Sequence, residues 1–205
     1  MKLTTLLSFY ILPLNLLLCA GFCCNEDEDF TNHISIENNS IVSIENNANT
    51  FTIDDTIYIE AVIENVQITT DNQNVILSDY FYLDLPETVV LGHNLNLFKD
   101  SGFGSKIAIP IDEEFIEIIE GNVITDTDSN FPNLAITSVF NGTHFKSKFG
   151  IQLKEIGTFY LSKSQIGNNT IPLVIFGGDY NKGLIEINTK IVNSDPDGFY
   201  KFIVN

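Results

Sequence analysis

The feature that most constrains the fold is a period-two alternation of apolar and polar residues that recurs along most of the chain. In the segment TIYIEAVIENVQI, Ile57, Ile59, Ala61 and Ile63 fall on one side and Glu60 falls on the other. Because successive side chains of a strand point to opposite faces of a sheet, this pattern predicts a strand with one buried face. A chain built from such segments can fold only by pairing its strands.

Further strand segments follow, and residues with turn chemistry separate them. They read NVILSDYFYLDL, TVVLGHNLNLF, SKIAIPI, NLAITSVF, THFKSKFGIQLKE, GTFYLS, IPLVIF, GLIEINTKIV and GFYKFIV. Asn141-Gly142 is a strong signal for a two-residue hairpin turn, and residues 177–179, 181–183 and 195–198 also have turn composition. About ten strands joined by short links predict an all-β fold, an antiparallel β-sandwich over residues 51–205.

Residues 111–120 carry two conflicting signals. PIDEEFIEIIEG offers a proline start, early acidic residues, helical spacing of Ile111, Phe115 and Ile118, and a stop at Gly121. However, FIEIIEGNVIT also alternates and lies among strands. We favour a strand here, with a helix as the alternative.

The N-terminus differs in composition from the rest of the chain. A single lysine at position 2 is followed by LTTLLSFYILPLNLLLCAGF, which is apolar and ends in small residues. This pattern is typical of a secretory signal peptide, and we predict one at residues 1–23. No cysteine follows Cys24, so the mature chain has no internal disulfide framework. Adjacent cysteines without a histidine at ligand spacing do not favour a zinc site.

The stretch AGFCCNEDED resembles a bacterial lipoprotein signal, in which a cysteine at the signal-peptide exit is acylated. The acidic cluster behind it is similar to the export signal with which Bacteroidota send lipoproteins to the outer face of their outer membrane; it consists of Glu26, Asp27, Glu28 and Asp29. The resemblance implies lipidation of Cys24, which has a small residue before it and the acids after it, with Cys23 as the alternative. Several acyl chains would hold the protein firmly in the outer membrane, exposed at the cell surface.

Residues 24–50 are acidic and rich in asparagine, and SIENN occurs at 35–39 and again at 43–47. We expect a tether with short strands here, because a lipid-anchored body must stand off its membrane. The following segment, FTIDDTIYIEAVIEN, resembles the opening strand of many extracellular β-sandwich lipoproteins of Bacteroidota. That resemblance implies an Ig-like body in residues 51–205.

The charge balance excludes some partners. The chain has 27 acidic residues, ten lysines and no arginine, for a net charge of −17. Removal of residues 1–23 would take away one lysine and no acidic residue, leaving −18. Nucleic acids and anionic lipids need basic patches, so we expect neither to bind the body. His144, Lys146 and Lys148 form a small basic stripe, which we interpret as a solvated sheet face.

Catalytic and metal signals are sparse. The three histidines are far apart and no Gly-x-Ser-x-Gly motif is present, so we expect no enzymatic activity. We expect no cofactor, with calcium as the one alternative. The aspartate-rich stretches DTDSN and NSDPDG are more typical of turns than of calcium sites; their calcium candidates are Asp126, Asp128, Asp195 and Asp197.

Three tyrosines form a candidate ligand platform. Tyr80 and Tyr82 alternate with Phe81 in one predicted strand, and Tyr180 lies in a turn beside Asp179. Exposed rings would suit a glycan, but tryptophan, the largest stacking surface, is absent, and cross-strand packing is the alternative for the first two tyrosines.

The leading hypothesis for the function is a surface-anchored, non-enzymatic β-sandwich that binds a partner protein or an extracellular ligand, or acts as an accessory of an outer-membrane complex. The alternatives are a glycan-binding module of a polysaccharide-uptake system and a secreted hydrolase with a site built from distant loops.

Overall fold

The computed structural model describes residues 32–127, 132–163, 165–166, 169–170 and 173–205. These ranges contain β-strands and short 3-10 turns, and no α-helix. The strands are β1 (His33–Glu37), β2 (Val42–Ile44), β3 (Thr50–Phe51), β4 (Thr56–Glu64), β5 (Val66–Ile68), β6 (Asn74–Ile76), β7 (Val90–Asp100), β8 (Lys106–Ile109), β9 (Ile116–Glu120), β10 (Asn122–Asp126), β11 (Asn133–Phe140), β12 (His144–Gln152), β13 (Gly157–Ser162), β14 (Gln165–Ile166), β15 (Asn169–Thr170), β16 (Leu173–Gly177), β17 (Leu184–Thr189) and β18 (Tyr200–Val204). The 3-10 turns are Glu45–Asn47, Leu77–Tyr80, Pro86–Thr88 and Glu113–Phe115.

Strand β7 connects two sheets. The larger runs in the order β1-β17-β16-β7-β11-β12-β4-β2, and β7 pairs there with β11 through residues 90–95. Residues 96–99 of the same strand pair with β13, which together with β8, β18 and β3 forms the smaller sheet. One hydrophobic cluster contains residues of both sheets, such as Ile59 and Phe202. The predicted all-β sandwich is confirmed.

The alternation predicted for β4 is confirmed residue by residue. Ile57, Ile59, Ala61 and Ile63 are buried, whereas Glu60 faces outward between them. The partner strand β12 continues the pattern across the full length of β4. Full burial of each large apolar side chain contributes roughly 1.5–3 kcal/mol, so these inner faces hold the sandwich together.

Residues 111–120 lead into a fork in the large sheet, where the consecutive strands β9 and β10 pair with two different strands. The segment is a 3-10 turn, Glu113–Phe115, followed by strand β9, so it is not an α-helix. Strand β9 pairs with β12 and β10 pairs with β11, and Gly121 bends the chain between them at φ +81°. A Cβ at this position would lie 2.3 Å from the carbonyl oxygen of Thr137, which only glycine avoids. Gly121 therefore ends no helix; it turns the chain between two strands that pair with different partners.

The described part of segment 24–50 contains short strands, as expected, but they are not part of a free tether. Strands β1 and β2 pair in the large sheet, and Ile36 and Val42 lie in the core. The sheet therefore begins at His33, before the expected domain boundary at residue 51. Two pairings, β1 with β17 and β3 with β18, are parallel. The described chain has more strands than the ten expected, because several of only two or three residues carry no periodic signal.

Candidate functional site

The three predicted platform tyrosines lie in two loops that meet in space. Tyr80 ends a 3-10 turn and Tyr82 follows it, so the strand predicted through this segment is wrong beyond Ile76. Tyr180 lies in the turn between β16 and β17. The backbone N–H of Asp179 donates to the carbonyl oxygen of Tyr80 at 2.8 Å. The structure therefore joins segments that are about a hundred residues apart.

The loop that carries Tyr80 and Tyr82, called the first loop below, is held by two buried side chains and by one asparagine; the loop that carries Tyr180 is called the second loop. Leu77 and Phe81 are buried, and the Phe81 ring lies 5.5 Å from that of Phe145. The Asn65 side chain accepts the Ser78 backbone N–H at 2.8 Å and donates to the Ser78 hydroxyl at 3.0 Å. Leu77 and Phe81 would share a face in a strand, but Asp79 between them is exposed and Ser78 is buried, which breaks the alternation that a strand requires. The loop therefore turns outward after Phe81.

Glycines allow the second loop to approach the first. The carbonyl oxygen of Asp179 accepts the backbone N–H groups of Lys182 at 3.0 Å and of Gly183 at 2.8 Å, closing the turn. Gly183 has φ +134°, and a Cβ there would lie 2.9 Å from the Tyr80 ring and 2.6 Å from the Asn32 carbonyl oxygen. The Tyr80 ring is half-buried in this contact and packs against the core cluster. A side chain at position 183 would push the loops apart.

Lys182 connects the two loops electrostatically. Its Nζ donates to the Phe81 carbonyl oxygen at 2.6 Å and lies 4.6 Å from the centroid of the Tyr82 ring. A cation over an aromatic face is attracted by the ring quadrupole, and the half-buried position of the lysine reduces its competition with water. The lysine thus orders the first loop and occupies one face of Tyr82.

Exposed apolar side chains lie on the two loops and on the adjoining ends of β16 and β17. We name them the tyrosine-loop surface; they are Tyr82, Leu83, Leu85, Phe176, Tyr180 and Leu184. Tyr180 is 60% exposed and Phe176 is 51% exposed. Sequence reasoning missed the leucines and Phe176, because Leu83 and Leu85 were assigned to a strand face and Phe176 ends an apolar run typical of a buried strand.

The arrangement of the tyrosines is unfavourable for sugar stacking. Tyr80 is engaged with Gly183, and the ammonium of Lys182 covers one face of Tyr82. In the turn of Tyr180, Asp179 Oδ1 accepts the backbone N–H of Asn181 at 2.9 Å and its side-chain amide at 3.2 Å. One carboxylate oxygen of Asp179 and the amide N–H of Asn181 are thus used to hold the turn.

The basic stripe on β12 is neutralised by carboxylates, in agreement with its interpretation as a solvated sheet face. Lys146 Nζ lies 3.2 Å from both Glu60 and Glu120, and Lys148 Nζ lies 2.7 Å from Glu45. Hydrogen bonds to the two glutamates raise the pKa of Lys146. An ammonium so paired presents little net positive charge to an anionic partner.

His93, one of the three histidines, lies in the core. It is 5% exposed, and neither ring nitrogen has a hydrogen-bond partner among the described residues. Burial lowers the pKa of His93 to about 4. No catalytic triad is built on this imidazole in the described chain, since a general base needs a hydrogen bond to its nucleophile.

The calcium candidates are only partly described. Asp195 Oδ1 accepts the Phe199 backbone N–H at 2.8 Å and so caps the predicted turn. Asp126 and Asp197 are exposed, and Asp128 lies outside the described residues. Within the described ranges, no group of three or more His, Cys, Asp or Glu side chains is arranged to hold a metal ion. The prediction of no cofactor, with calcium at these positions as the alternative, stays a prediction.

The predicted lipidation and export residues also lie outside the described part of the chain, which begins at residue 32. They are Cys23, Cys24, Glu26, Asp27, Glu28 and Asp29. In the described part, no helix is long and apolar enough to span a bilayer.

Comparison with known proteins gives only distant similarity. No family model and no curated protein sequence matches the chain. Among solved structures, the seventh ScaB type I cohesin from Pseudobacteroides cellulosolvens is similar with a TM-score of 0.31 and 11% identity, covering 84% of this chain and 94% of that one. A chain of the CaDoc0917–CaCohA2 complex gives a TM-score of 0.27 and 10% identity, covering 73% and 99%. Scores at this level assign no family and no function to the chain.

Proposed function

We infer that this chain is a surface-anchored, non-enzymatic binding module that binds a protein partner through the tyrosine-loop surface. The observation that supports this most is that six exposed apolar side chains, two of them tyrosines, lie on two loops that meet and on the strand ends that adjoin them. Exposed apolar surface marks interaction sites, and tyrosine is enriched among residues that dominate binding energy.

The order of the loops supports the same function. Three sets of contacts hold the surface in place before any partner binds: the hydrogen bonds of Asn65 with Ser78, the closed 179–183 turn and the hydrogen bond of Lys182. A pre-ordered surface loses less conformational entropy on binding than a mobile one. The covered face of Tyr82 and the bonded polar groups near Tyr180 make a protein a better occupant than a glycan.

The mature chain would be held at the cell surface by acylation of Cys24, with the acids at 26–29 as the export signal. This part rests on the AGFCCNEDED stretch. Radiolabelled fatty acid should enter the wild-type protein and be absent from the Cys24→Ala variant. Label retained in that variant would exclude Cys24, and label lost only in Cys23→Ala would transfer the site to Cys23.

The binding function is tested by a matched pair of double variants. Tyr82→Ser with Tyr180→Ser alters the tyrosine-loop surface, whereas Phe103→Ser with Ile107→Ser removes two exposed apolar side chains elsewhere. We expect recovery of the partner from intact cells, quantified after affinity purification, to fall at least about tenfold for the first pair. Equal recovery with both pairs would contradict the proposal. Binding of wild-type protein on a glycan array, lost with the first pair, would favour the glycan alternative.

A further inference from the structure

The described chain begins beside the tyrosine-loop surface. The Asn32 carbonyl oxygen accepts the backbone N–H of Leu184 at 2.8 Å, and Leu184 belongs to that surface. Gly183, which touches the Tyr80 ring, also lies against Asn32. Asn32, where the N-terminal segment joins the sheet, therefore contacts the second loop directly, at a glycine that also touches Tyr80 of the first loop.

The chain between this point and the proposed lipid is short. Eight residues, 24–31, precede Asn32. A chain of this length spans at most about 29 Å, whatever its conformation, because each residue contributes no more than about 3.6 Å. If Cys24 carries the lipid, as the proposed function requires, the tyrosine-loop surface cannot lie farther than this from the membrane interface, apart from the small offset to its own side chains.

The opposite end of the described fold presents a different residue. Leu91 near the start of β7 pairs with Gly177 beside the tyrosine-loop surface, and β7 then runs nine residues further to Asp100, where the hairpin that carries Phe103 begins. At about 3.3 Å per residue, this stretch of strand spans at most about 30 Å. Phe103 is 96% exposed, and its hairpin is braced by a 2.8 Å bond between the Ser101 and Ser105 hydroxyls.

These positions identify the class of partner. We propose that the tyrosine-loop surface faces the membrane and binds the exposed part of a protein embedded in that same membrane, with the Phe103 hairpin directed away from it. The lipid surface is a poor occupant, because a body with a net charge near −18 is repelled by anionic head groups. A freely diffusing ligand would bind more readily at the end that carries the Phe103 hairpin, where no membrane limits its approach.

A distance measurement on the full, anchored chain tests this orientation. No cysteine follows Cys24, so a single introduced cysteine gives one site for a thiol-reactive dye, and the unmodified chain is the labelling control. The Tyr180→Cys and Phe103→Cys variants change exposed side chains, so both should fold. Energy transfer to an acceptor dye in the membrane should be strong from position 180 and weak from position 103. Stronger transfer from position 103 would overturn the orientation.

A second measurement tests the partner class independently of the lipid. Detergent-solubilised complexes captured with the wild-type chain should contain a protein that carbonate washing does not extract from membranes, and the Tyr82→Ser/Tyr180→Ser variant should lose it. A captured partner that carbonate does extract would overturn this inference while leaving the binding function in place. Release of wild-type protein into the medium without lipid would instead contradict the proposed anchoring. Binding of the chain to protein-free vesicles that survives loss of both tyrosines would also overturn the inference.

Discussion

His93 offers a quantitative test of the packing, because it places an ionisable group in the core without a partner. The imidazole is 5% exposed, on the inward face of β7 with Leu91 and Leu95. Burial lowers its pKa from 6.5 to about 4. Between these values the unfolded chain binds a proton that the folded chain does not. Acidification through this window must therefore stabilise the unfolded state.

The size of the effect follows from the two pKa values. At pH 7 both states are largely deprotonated at this histidine, and the contribution to the free energy of unfolding is near zero. At pH 5 the unfolded histidine is almost fully protonated and the folded one is not, which destabilises the fold by about 2 kcal/mol. Below pH 4 the loss approaches about 3 kcal/mol, since each pKa unit is worth about 1.36 kcal/mol.

The comparison of wild type with His93→Leu isolates this term, because the carboxylates titrate in both proteins. Denaturant unfolding at pH 7 and pH 5 should show the stability difference shifting by about 2 kcal/mol in favour of the variant on acidification. At pH 7 the variant should be at least as stable as wild type, since it removes unpartnered buried nitrogens. Replacement of the exposed His33 by Gln is the control for the loss of an imidazole outside the core. A difference between wild type and His93→Leu that does not change with pH would refute the buried, neutral imidazole.

Three further predictions concern the fork, the ion pairs and the loop junction. Gly121→Ala should destabilise the fold by at least about 2 kcal/mol in denaturant unfolding, because the new Cβ would lie 2.3 Å from a backbone oxygen at φ +81°; Gly142→Ala, with φ +99° and nothing within 4 Å, should cost clearly less. Lys146→Met should cost about 1 kcal/mol at low salt, and the loss should shrink in high salt, since two glutamates lie 3.2 Å away; a salt-independent loss would contradict an electrostatic origin. Lys182→Met should lower stability by only about 1 kcal/mol but weaken partner binding by loosening the first loop; the exposed Lys201→Met should do neither.

Much of the fold could be predicted because its signals are local. The inward residues of β4 and the turn at Asn141-Gly142 follow from alternation and from the need for positive φ, and Gly142 indeed has φ +99°. The fork at Gly121 could not be predicted, because its cause is contact with Thr137 and Ser147 on other strands. Period-two patterns cannot report such non-local crowding.

The candidate site was predictable only in part, for a related reason. Tyr80, Tyr82 and Tyr180 were selected for chemistry, but their meeting depends on a hydrogen bond between Asp179 and Tyr80 across the fold. The segment YFYLDL alternates as a strand would, yet the hydrogen bond from Ser78 to Asn65 and the burial of Phe81 make it a loop. Contacts with residues distant in sequence therefore decide its conformation.

The most direct test of a partner-binding tyrosine-loop surface is site-specific photo-cross-linking in living cells. A photoreactive phenylalanine analogue is placed at position 180 in one strain and at position 103 in another, both exposed sites. The account predicts one dominant cross-linked membrane protein from position 180, lost when Tyr82 is also replaced by Ser, and no such product from position 103. Cross-linking to that protein from position 103 alone, or none from position 180, would contradict it.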